Sequence, residues 1–219
     1  MIAKELLSHA IVPLQTSDTG ELAVQMMQVN HVRHFPIVNH EKLLGVISEE
    51  DTLIHELDEP IGTYRLSYLR PYCFDDEHIF DVMSRLSKLQ LSLIPVIDRE
   101  ENYLGVVTLE RLLQYFADNF SFSEIGSIVI IESIKNDYSM SEILRLAESE
   151  DTKVLSFFVN KVDTTNLVRI TVKLNRQDIS GFKSALERYG YDVMATFSEH
   201  SQVDGLKDRY DSLMSYLNV

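Results

Sequence analysis

The sequence predicts a mixed fold (α+β with α/β character), in which a duplicated βαββα unit is followed by a separate βαββαβ unit. Two observations lead to this prediction. A pair of short motifs occurs twice in the first half of the chain, each time after residues with helical periodicity. From residue 127 onward, the apolar pattern follows the order strand, helix, strand, strand, helix and strand. A chain of 219 residues is long enough for two small domains, each with its own core.

The duplication is visible in two pairs of matching motifs. Phe35-Pro36-Ile37-Val38 matches Ile94-Pro95-Val96-Ile97, and Leu44-Gly45-Val46-Ile47-Ser48 matches Leu104-Gly105-Val106-Val107-Thr108. The prolines are 59 residues apart and the glycines 60, so the turn between the motifs is one residue longer in the second copy. A single copy of about 55 residues is marginal for a stable core, so we expect the two copies to pack against each other.

The elements of each copy are predicted from local patterns. Pro36 and Pro95 begin strands, where a missing N–H group is tolerated, and a polar turn leads from each of these strands to the next. A helix is predicted before each proline because apolar residues recur there on one helical face. These residues are Leu22, Ala23, Met26, Met27 and His31 in the first copy, and Ile79, Val82, Met83, Leu86 and Leu89 in the second.

The repeated motifs resemble those of the cystathionine-β-synthase (CBS) family, in which a tandem pair forms one unit called a Bateman module. Ile11 to about Ile54 resembles the first motif and Tyr72 to about Phe116 the second, within a first domain of residues 1–120. The resemblance implies an adenosyl ligand. Its ribose and phosphate would bind a stretch of the form Gly-h-h-Ser/Thr-x-x-Asp, where h is an aliphatic residue.

The first copy contains this stretch in full, from Gly45 through Ser48 to Asp51. The Asp51 carboxylate can accept hydrogen bonds from both cis hydroxyls of a ribose. The Ser48 hydroxyl lies at a helix start that suits a phosphate, and Gly45 permits a close backbone approach. The same spacing of Ser48 and Asp51 is typical of a helix N-cap, so a purely structural role stays open as the alternative.

Further contacts to the nucleotide follow from the resemblance and from charge. The resemblance implies adenine contacts at five positions whose residues would also suit a hydrophobic core. These are Val12, Pro13, Phe35, Pro36 and Ile37. Glu49 and Glu50 place additional negative charge at this site. Arg33 and His34 are the basic residues expected to offset it. A ligand with little negative charge, either AMP or a neutral-to-cationic adenosyl compound, is therefore favoured over unassisted ATP.

The second copy departs from the motif at one position. It keeps Gly105 and Thr108, but Arg111 stands where the ribose-binding aspartate belongs. A guanidinium cannot accept hydrogen bonds from a diol, although it can pair with a phosphate. The second site is therefore vacant, biased towards phosphate or purely structural, and we expect one competent site per pair.

The second half is predicted to form a domain of residues 127–199, joined to the first by Ser121–Glu124. Its element order is ferredoxin-like. This topology and its position resemble the ACT family, and the order CBS-CBS-ACT is similar to acetoin-utilisation proteins of the AcuB type. ACT domains bind amino acids around an Asp-x-x-Gly loop, but Tyr138 stands where the glycine belongs. A dimerisation sheet is therefore favoured over amino-acid binding.

A C-terminal amphipathic helix is predicted over residues 204–219. Its apolar residues form one stripe at helical spacing, which is expected to pack on its own sheet or across a dimer. The stripe consists of Leu206, Tyr210, Leu213, Met214 and Leu217.

Composition argues against several classes of partner and site. A net charge of −14 and a pI near 4.8 argue against nucleic acid and anionic membranes as partners. The lone Cys73 rules out an internal disulfide, and the seven histidines lack the spacing of metal ligands. The N-terminus has no signal-peptide core, and the longest aliphatic run, Ile128–Ile131, is too short to span a bilayer. A cytoplasmic location is therefore expected.

The sequence contains no arrangement of residues typical of a catalytic centre. It therefore predicts a non-catalytic regulatory homodimer that senses an adenosyl ligand such as AMP, without a metal or another cofactor. Two alternatives stay open. One is a constitutive dimerisation module without a ligand, and the other is the regulatory subunit of a separate enzyme.

Overall fold

The computed structural model describes residues 1–68, 70–162 and 166–198. The chain divides into two compact units, Met1–Tyr115 and a second unit that begins at Phe116. The turn predicted at residues 163–165 and the C-terminal helix predicted at residues 204–219 lie outside the described residues.

The first unit consists of short helices and strands in alternation. Its helices are α1 (Gly20–Val29), α2 (Glu49–Leu53), α3 (Ile79–Leu89) and α4 (Leu109–Asn119), which continues into the second unit, with 3₁₀ turns at Ala3–Leu6 and Ile61–Thr63. Its strands are β1 (His34–Asn39), β2 (Lys42–Ser48), β3 (Cys73–Phe74), β4 (Leu93–Ile97) and β5 (Tyr103–Thr108). The predicted duplication is confirmed, because β1 pairs with β2 and β4 with β5 in matching antiparallel hairpins.

The two copies exchange their leading segments. Ser8, from the start of the chain, forms an antiparallel bridge with Val106 of the second copy. Tyr68, which is 60 residues later, forms the equivalent bridge with Val46 of the first copy. The hairpin of each copy therefore pairs with a backbone segment from the other copy. One copy alone would leave this strand edge unpaired.

The predicted helical faces are correct in part. Ala23 and Met27 of α1 are buried, but Leu22 is 37% exposed. His31 lies beyond the end of α1 at a positive φ of 52°, so its predicted place on the buried face is wrong. On α3 the predicted residues Ile79, Val82 and Leu86 are buried, whereas Leu89 is exposed. In both helices a residue at one end of the predicted stripe, Leu22 in α1 and Leu89 in α3, lies at the edge of the core.

The second unit is a four-stranded antiparallel sheet with two helices packed on one face. Its elements are β6 (Ser127–Ile134), α5 (Met140–Ser149), β7 (Val154–Lys161), β8 (Leu167–Leu174), α6 (Ser180–Arg188) and β9 (Asp192–Ser198). The strand order is β7-β8-β6-β9, so the predicted βαββαβ topology is confirmed. Its core joins sheet residues such as Ile131 and Val172 to Ile143 of α5 and Phe182 of α6.

The helices of the described ranges are short. The longest two, α3 and α4, have 11 residues each. Within those ranges, we find no helix with the length and apolar character needed to cross a bilayer.

Gly105 offers a test of the segment exchange. Its φ is +149°, and a Cβ added there would lie 2.9 Å from the carbonyl oxygen of Ser8. We therefore expect Gly105→Ala to lower the free energy of unfolding by about 1–3 kcal/mol from backbone strain, and further through the displaced Ser8. Urea unfolding followed by circular dichroism measures this loss.

Gly190 is the matched control for that substitution. It also has a positive φ, +86°, but a Cβ added there would meet nothing within 4 Å. Gly190→Ala should therefore cost only the conformational term of about 1–2 kcal/mol. If both substitutions cost the same, Gly105 is not needed for the approach of the Ser8 backbone.

Candidate functional site

The predicted site residues of the first copy form a closed capping box. Ser48 is the N-cap of α2, and its hydroxyl accepts a hydrogen bond from the Asp51 N–H at 3.1 Å. The Ser48 N–H in turn donates to Oδ2 of Asp51 at 2.9 Å. Both side chains are fully buried. The structural role that the sequence left open is thus present, and neither side chain is exposed to solvent.

The second carboxylate oxygen of Asp51 is also in use. Oδ1 accepts hydrogen bonds from the N–H of Ser67 at 2.9 Å and from its hydroxyl at 2.6 Å. Burial raises the pKa of Asp51, but the hydrogen bonds from Ser67 and Ser48 together outweigh it and hold the pKa below the usual value. Asp51 is therefore an ionised, buried acceptor with hydrogen-bond partners from its own chain on both oxygens.

The residues proposed around the adenine are distributed over different environments. Phe35 and Ile37 belong to the hydrophobic core of the first unit, and Pro36 between them is buried. Val12 is 65% exposed and Pro13 is half-buried. Pairing of β1 with β2 places Gly45 opposite Ile37, with the glycine also buried. The structure brings these strand residues close to Ser48, but within a packed core.

The equivalent place in the second copy is open. Thr108 repeats the cap, since its hydroxyl accepts from the Arg111 N–H at 3.1 Å. Two adjoining cavities of about 430 and 270 Å³ lie beside it and share Ser8, Ala10, Thr108 and Glu110. We call these two cavities the second-copy groove. One end is lined by His9, Arg111 and Gln114, and the other by Ile11, Asn30, His31, Val32 and Ser92.

The chemistry of the second-copy groove changes from one end to the other. The guanidinium of Arg111 is exposed and has no hydrogen-bond or ion-pair partner among the described residues. It stands in the first turn of α4, where the positive end of the helix dipole also favours an anion. The N–H groups of Leu109 and Arg111 are already used there, since they donate to the Ser92 carbonyl and the Thr108 hydroxyl. Ile11 and Val32 supply apolar surface at the other end. The groove therefore has an exposed cationic side chain at one end and apolar side chains at the other.

Sequence reasoning identified only part of this groove. Thr108 and Arg111 were predicted, whereas Ser8, His9 and Asn30 were not. Ser8 and His9 reach the second copy through the exchanged leading segment, some hundred residues away along the chain. No local pattern in the sequence indicates this contact.

His34 connects the two copies and does not act as the predicted cation. The backbone N–H of Ser92 donates to its Nδ1 at 3.1 Å, and the Ser92 hydroxyl lies 3.0 Å from the same atom. That hydroxyl also accepts from the N–H of Arg33 at 3.0 Å. Because Nδ1 is an acceptor, the ring is neutral with its proton on Nε2. The expectation that His34 offsets the acidic residues is therefore wrong, while the Arg33 side chain stays exposed.

The environment of His34 favours this neutral form. Burial is the main cause that lowers its pKa, opposed by the charge of Glu50 and, more weakly, of Asp51, and assisted by the charge of Arg33. The side chain is 3% exposed. Protonation would convert Nδ1 into a donor and break the hydrogen bond from the Ser92 backbone.

Three other features of the described residues concern metal binding, cysteine reactivity and amino-acid binding. Within residues 1–68, 70–162 and 166–198, no group of three or more His, Cys, Asp or Glu side chains is arranged to hold a metal ion. Cys73 is buried, and burial raises the pKa of its thiol to about 12. In the second unit Tyr138 packs against the core, beside a cleft lined by Glu132, Asp137 and other acidic residues.

The duplicated first unit corresponds to a known domain family. The sequence pattern of the CBS domain matches residues 3–57 and again residues 70–118. The chain is a tandem CBS-domain protein. The two matched ranges contain the two hairpins with their helices, so the first and second copies described above are its first and second CBS domains.

Similarity to individual proteins is low. The chain is 28% identical over 123 residues, 53% of its length, to a homoserine O-acetyltransferase of Methanosarcina acetivorans, and spans only 22% of that relative. A CBS domain pair/ACT domain protein from Thermotoga maritima is similar over 54% of this chain and 98% of its own, with 19% identity and a TM-score of 0.49. CBSX2 in complex with AMP is similar over 53% of this chain and 96% of its own, with 16% identity and a TM-score of 0.46.

Replacing Asp51 should destabilise the CBS pair without any ligand present. Asp51→Ala removes the acceptor for the backbone N–H groups of Ser48 and Ser67 and for the Ser67 hydroxyl. We expect a loss of about 2–4 kcal/mol in the free energy of unfolding, measured by urea titration. Glu50→Ala, at the neighbouring exposed position, should change it by less than about 0.5 kcal/mol. Equal effects would show that the buried hydrogen bonds of Asp51 contribute little.

The buried His34 should make stability depend on pH. Its folded pKa lies below the reference value of 6.5, so the unfolded chain takes up the proton first as the pH falls. Stability from this group is complete above pH 6.5 and decreases from there down to the folded pKa, by at most about 1.4 kcal/mol per pH unit.

Unfolding midpoints between pH 7.5 and 5 test this dependence. His34→Asn keeps an acceptor near the Nδ1 position but cannot titrate, so its stability should vary less with pH than that of the wild type. His40→Asn, at an exposed turn residue, should retain the wild-type dependence. A wild-type slope in His34→Asn would mean that other groups are responsible.

Proposed function

We propose that the protein is a non-catalytic regulator whose CBS pair binds an adenosyl monophosphate such as AMP in the second-copy groove. The observation that supports this most directly is the unpartnered Arg111 guanidinium at the start of α4, at one end of a groove whose other end is apolar. A phosphate would pair with the Arg111 guanidinium near the positive end of the α4 dipole. The adenine would lie against Ile11 and Val32.

The choice of groove reverses the preference drawn from the sequence motif. The complete motif lies in the first CBS domain, but Asp51 there is buried and both of its oxygens accept hydrogen bonds from the same chain. The second domain lacks the aspartate yet has the accessible cavity and the available positive charge. Asn30 also lines this groove. Its Nδ2 donates to the Met26 carbonyl, and its Oδ1 is a candidate acceptor for the ribose hydroxyls.

Charge favours a monophosphate over other adenosyl ligands. The protein has a formal net charge of −14, and Glu110 also lines the groove. A phosphate monoester carries about −1.5 to −2 charges at pH 7, of which one guanidinium offsets about one. A triphosphate would bring still more negative charge that the groove does not balance. A cationic sulfonium such as that of S-adenosylmethionine would gain nothing from Arg111 and would be repelled by it.

The second unit is proposed to dimerise, with an ACT-like role in transmitting the ligand signal. Strand β9 lies at one edge of the four-stranded sheet, and no described strand pairs with its outer side. Met194 and Phe197 on this strand are 51% and 54% exposed. An edge with exposed apolar residues suits pairing with a second copy of the chain.

One observation favours the alternative of a constitutive interaction module. The capping box of Ser48 and Asp51 is complete without a ligand, so the most specific part of the motif already has a structural use. The two functions differ in whether an adenosyl compound stabilises the folded chain. Ligand binding is therefore the property to measure.

Arg111 provides the decisive test of the proposed ligand. AMP should bind the purified wild type in isothermal titration calorimetry and raise its melting temperature. Arg111→Ala should weaken AMP binding by about tenfold or more, since a hydrogen bond to a charged group contributes about 1.5–3 kcal/mol. Arg188→Ala, at an exposed arginine of α6, is the matched control and should bind AMP as the wild type does.

Adenosine separates the phosphate contribution from the rest. It should bind the wild type more weakly than AMP, and Arg111→Ala should leave its affinity unchanged. If AMP binds both proteins equally, the phosphate does not contact Arg111. If none of AMP, ADP, ATP or S-adenosylmethionine shifts the melting temperature, the constitutive module is the better description.

A further inference from the structure

We propose that the first CBS domain has a ligand pocket of its own, which binds a small α-amino acid with an apolar side chain. The pocket is a cavity of about 320 Å³ along the last two turns of α1 and the start of α2, and we call it the α1 pocket. Its volume is at the low end of the range for small-molecule sites, so it suits a small ligand.

The end of α1 supplies the apolar part of the pocket. His31 leaves the helix at a φ of 52°, and the chain then turns back, so that the Val32 N–H donates to the Met27 carbonyl at 3.0 Å. Met27 is 4% exposed, while Val24 and Val32 are half-buried. All three side chains line the same cavity. They form an aliphatic surface that gains from covering by a short aliphatic side chain.

Two charged residues that also line the pocket are held in place by their backbones. The Glu49 N–H donates to the Arg33 carbonyl at 2.9 Å. The Arg33 N–H donates to the Ser92 hydroxyl at 3.0 Å, and the Glu49 carbonyl accepts from the Thr52 hydroxyl at 2.7 Å. The backbone positions from which the two charged side chains extend are therefore fixed relative to each other.

The charged ends of these two side chains are not used within the described part of the chain. Neither the Arg33 guanidinium nor the Glu49 carboxylate forms an ion pair or a side-chain hydrogen bond there, and they do not pair with each other. A ligand with a carboxylate and an ammonium on one carbon offers a partner to each. Because the formal charges of Arg33 and Glu49 cancel, the pocket favours a zwitterion over a net anion or cation.

The lining residues distinguish an α-amino acid from other zwitterions. A quaternary ammonium such as that of betaine prefers the face of an aromatic ring, and no Phe, Tyr or Trp side chain lines this pocket. A primary ammonium has three N–H donors instead. Glu49 can accept from one of them, and the exposed Gln28 side chain adds an amide oxygen to the pocket. An α-amino acid therefore uses the apolar surface, both charges and the amide together.

The α1 pocket is distinct from the second-copy groove. The two share His31 and Val32, but Thr108 and Arg111 line only the groove. Amino-acid binding in the α1 pocket therefore does not depend on adenosyl binding in the groove. Arg111→Ala, which should weaken AMP binding, should leave the affinity for an amino acid unchanged.

Calorimetric titration with L-leucine, L-valine and L-methionine tests this inference. At least one of them should bind the wild type. Arg33→Ala and Glu49→Gln should each weaken that binding by about tenfold or more, because each removes a charge-assisted hydrogen bond. The matched controls are Arg188→Ala in α6 and Glu21→Gln in α1, both at exposed positions outside the pocket, and both should bind as the wild type does.

Analogues that lack one charge test the zwitterion directly. For leucine these are 3-methylbutylamine, which has no carboxylate, and 4-methylpentanoate, which has no ammonium. Each should bind the wild type at least about tenfold more weakly than the amino acid. An analogue that binds as tightly as the amino acid would show that the charge it lacks has no partner in the pocket, against the inference.

Two further results would overturn the inference. One is that none of the three amino acids binds at millimolar concentration. The other is that an amino acid binds with the same affinity to the wild type, Arg33→Ala and Glu49→Gln, since the ligand then lies elsewhere, for example in the cleft beside Asp137 in the second unit. If a variant folds poorly, amide NMR signals of the wild type decide: those of Val32 and Glu49 should shift on titration, and unchanged signals would contradict the site.

Discussion

The backbone pairing that crosses between the two CBS domains is the constraint on which the rest of the first unit depends. Ser8 pairs with Val106 and Tyr68 with Val46, so each hairpin is completed by a segment from the other copy. His34 and Ser92 add a buried contact at the centre of the same arrangement. The leading segment of the chain that pairs with the second hairpin also forms one wall of the second-copy groove. Folding of the pair therefore assembles this groove.

This arrangement explains why two nearly identical motifs differ in access. In both domains a serine or threonine caps a helix, and the exchanged segment crosses the hairpin at the matching position. In the first domain that segment brings Ser67, whose donors satisfy a buried carboxylate. In the second it brings Leu7 and Ser8 beside an exposed guanidinium, which leaves a groove. A buried carboxylate needs hydrogen-bond donors from the protein, whereas an exposed guanidinium can keep its hydration.

The faces and edges of the sheet in the second unit are covered unequally. Two helices cover one face of its sheet, and the opposite face is partly covered near Phe158, which packs against Phe120 and Phe122. The Ser156 hydroxyl donates to the Phe120 carbonyl at 2.6 Å and fixes that segment on β7. Strand β9, at the other edge, keeps Met194 and Phe197 exposed. The asymmetry between the two edges is what makes β9 the candidate surface for a second copy.

The sequence by itself determined the duplication, the βαββαβ order of the second unit and the residues at both helix caps, because each of these is encoded by neighbours in the chain. It also named Thr108 and Arg111 as candidate ligand contacts, and both residues line the second-copy groove. It could not decide between a cap and a ribose site at Asp51, because Ser67 lies 16 residues away and reaches Asp51 only after the domains exchange segments. His34 was misjudged for the same reason, since its partner Ser92 belongs to the other copy. Only the tertiary structure decided which site is open, because burial and hydrogen-bond partners at both sites come from distant parts of the chain.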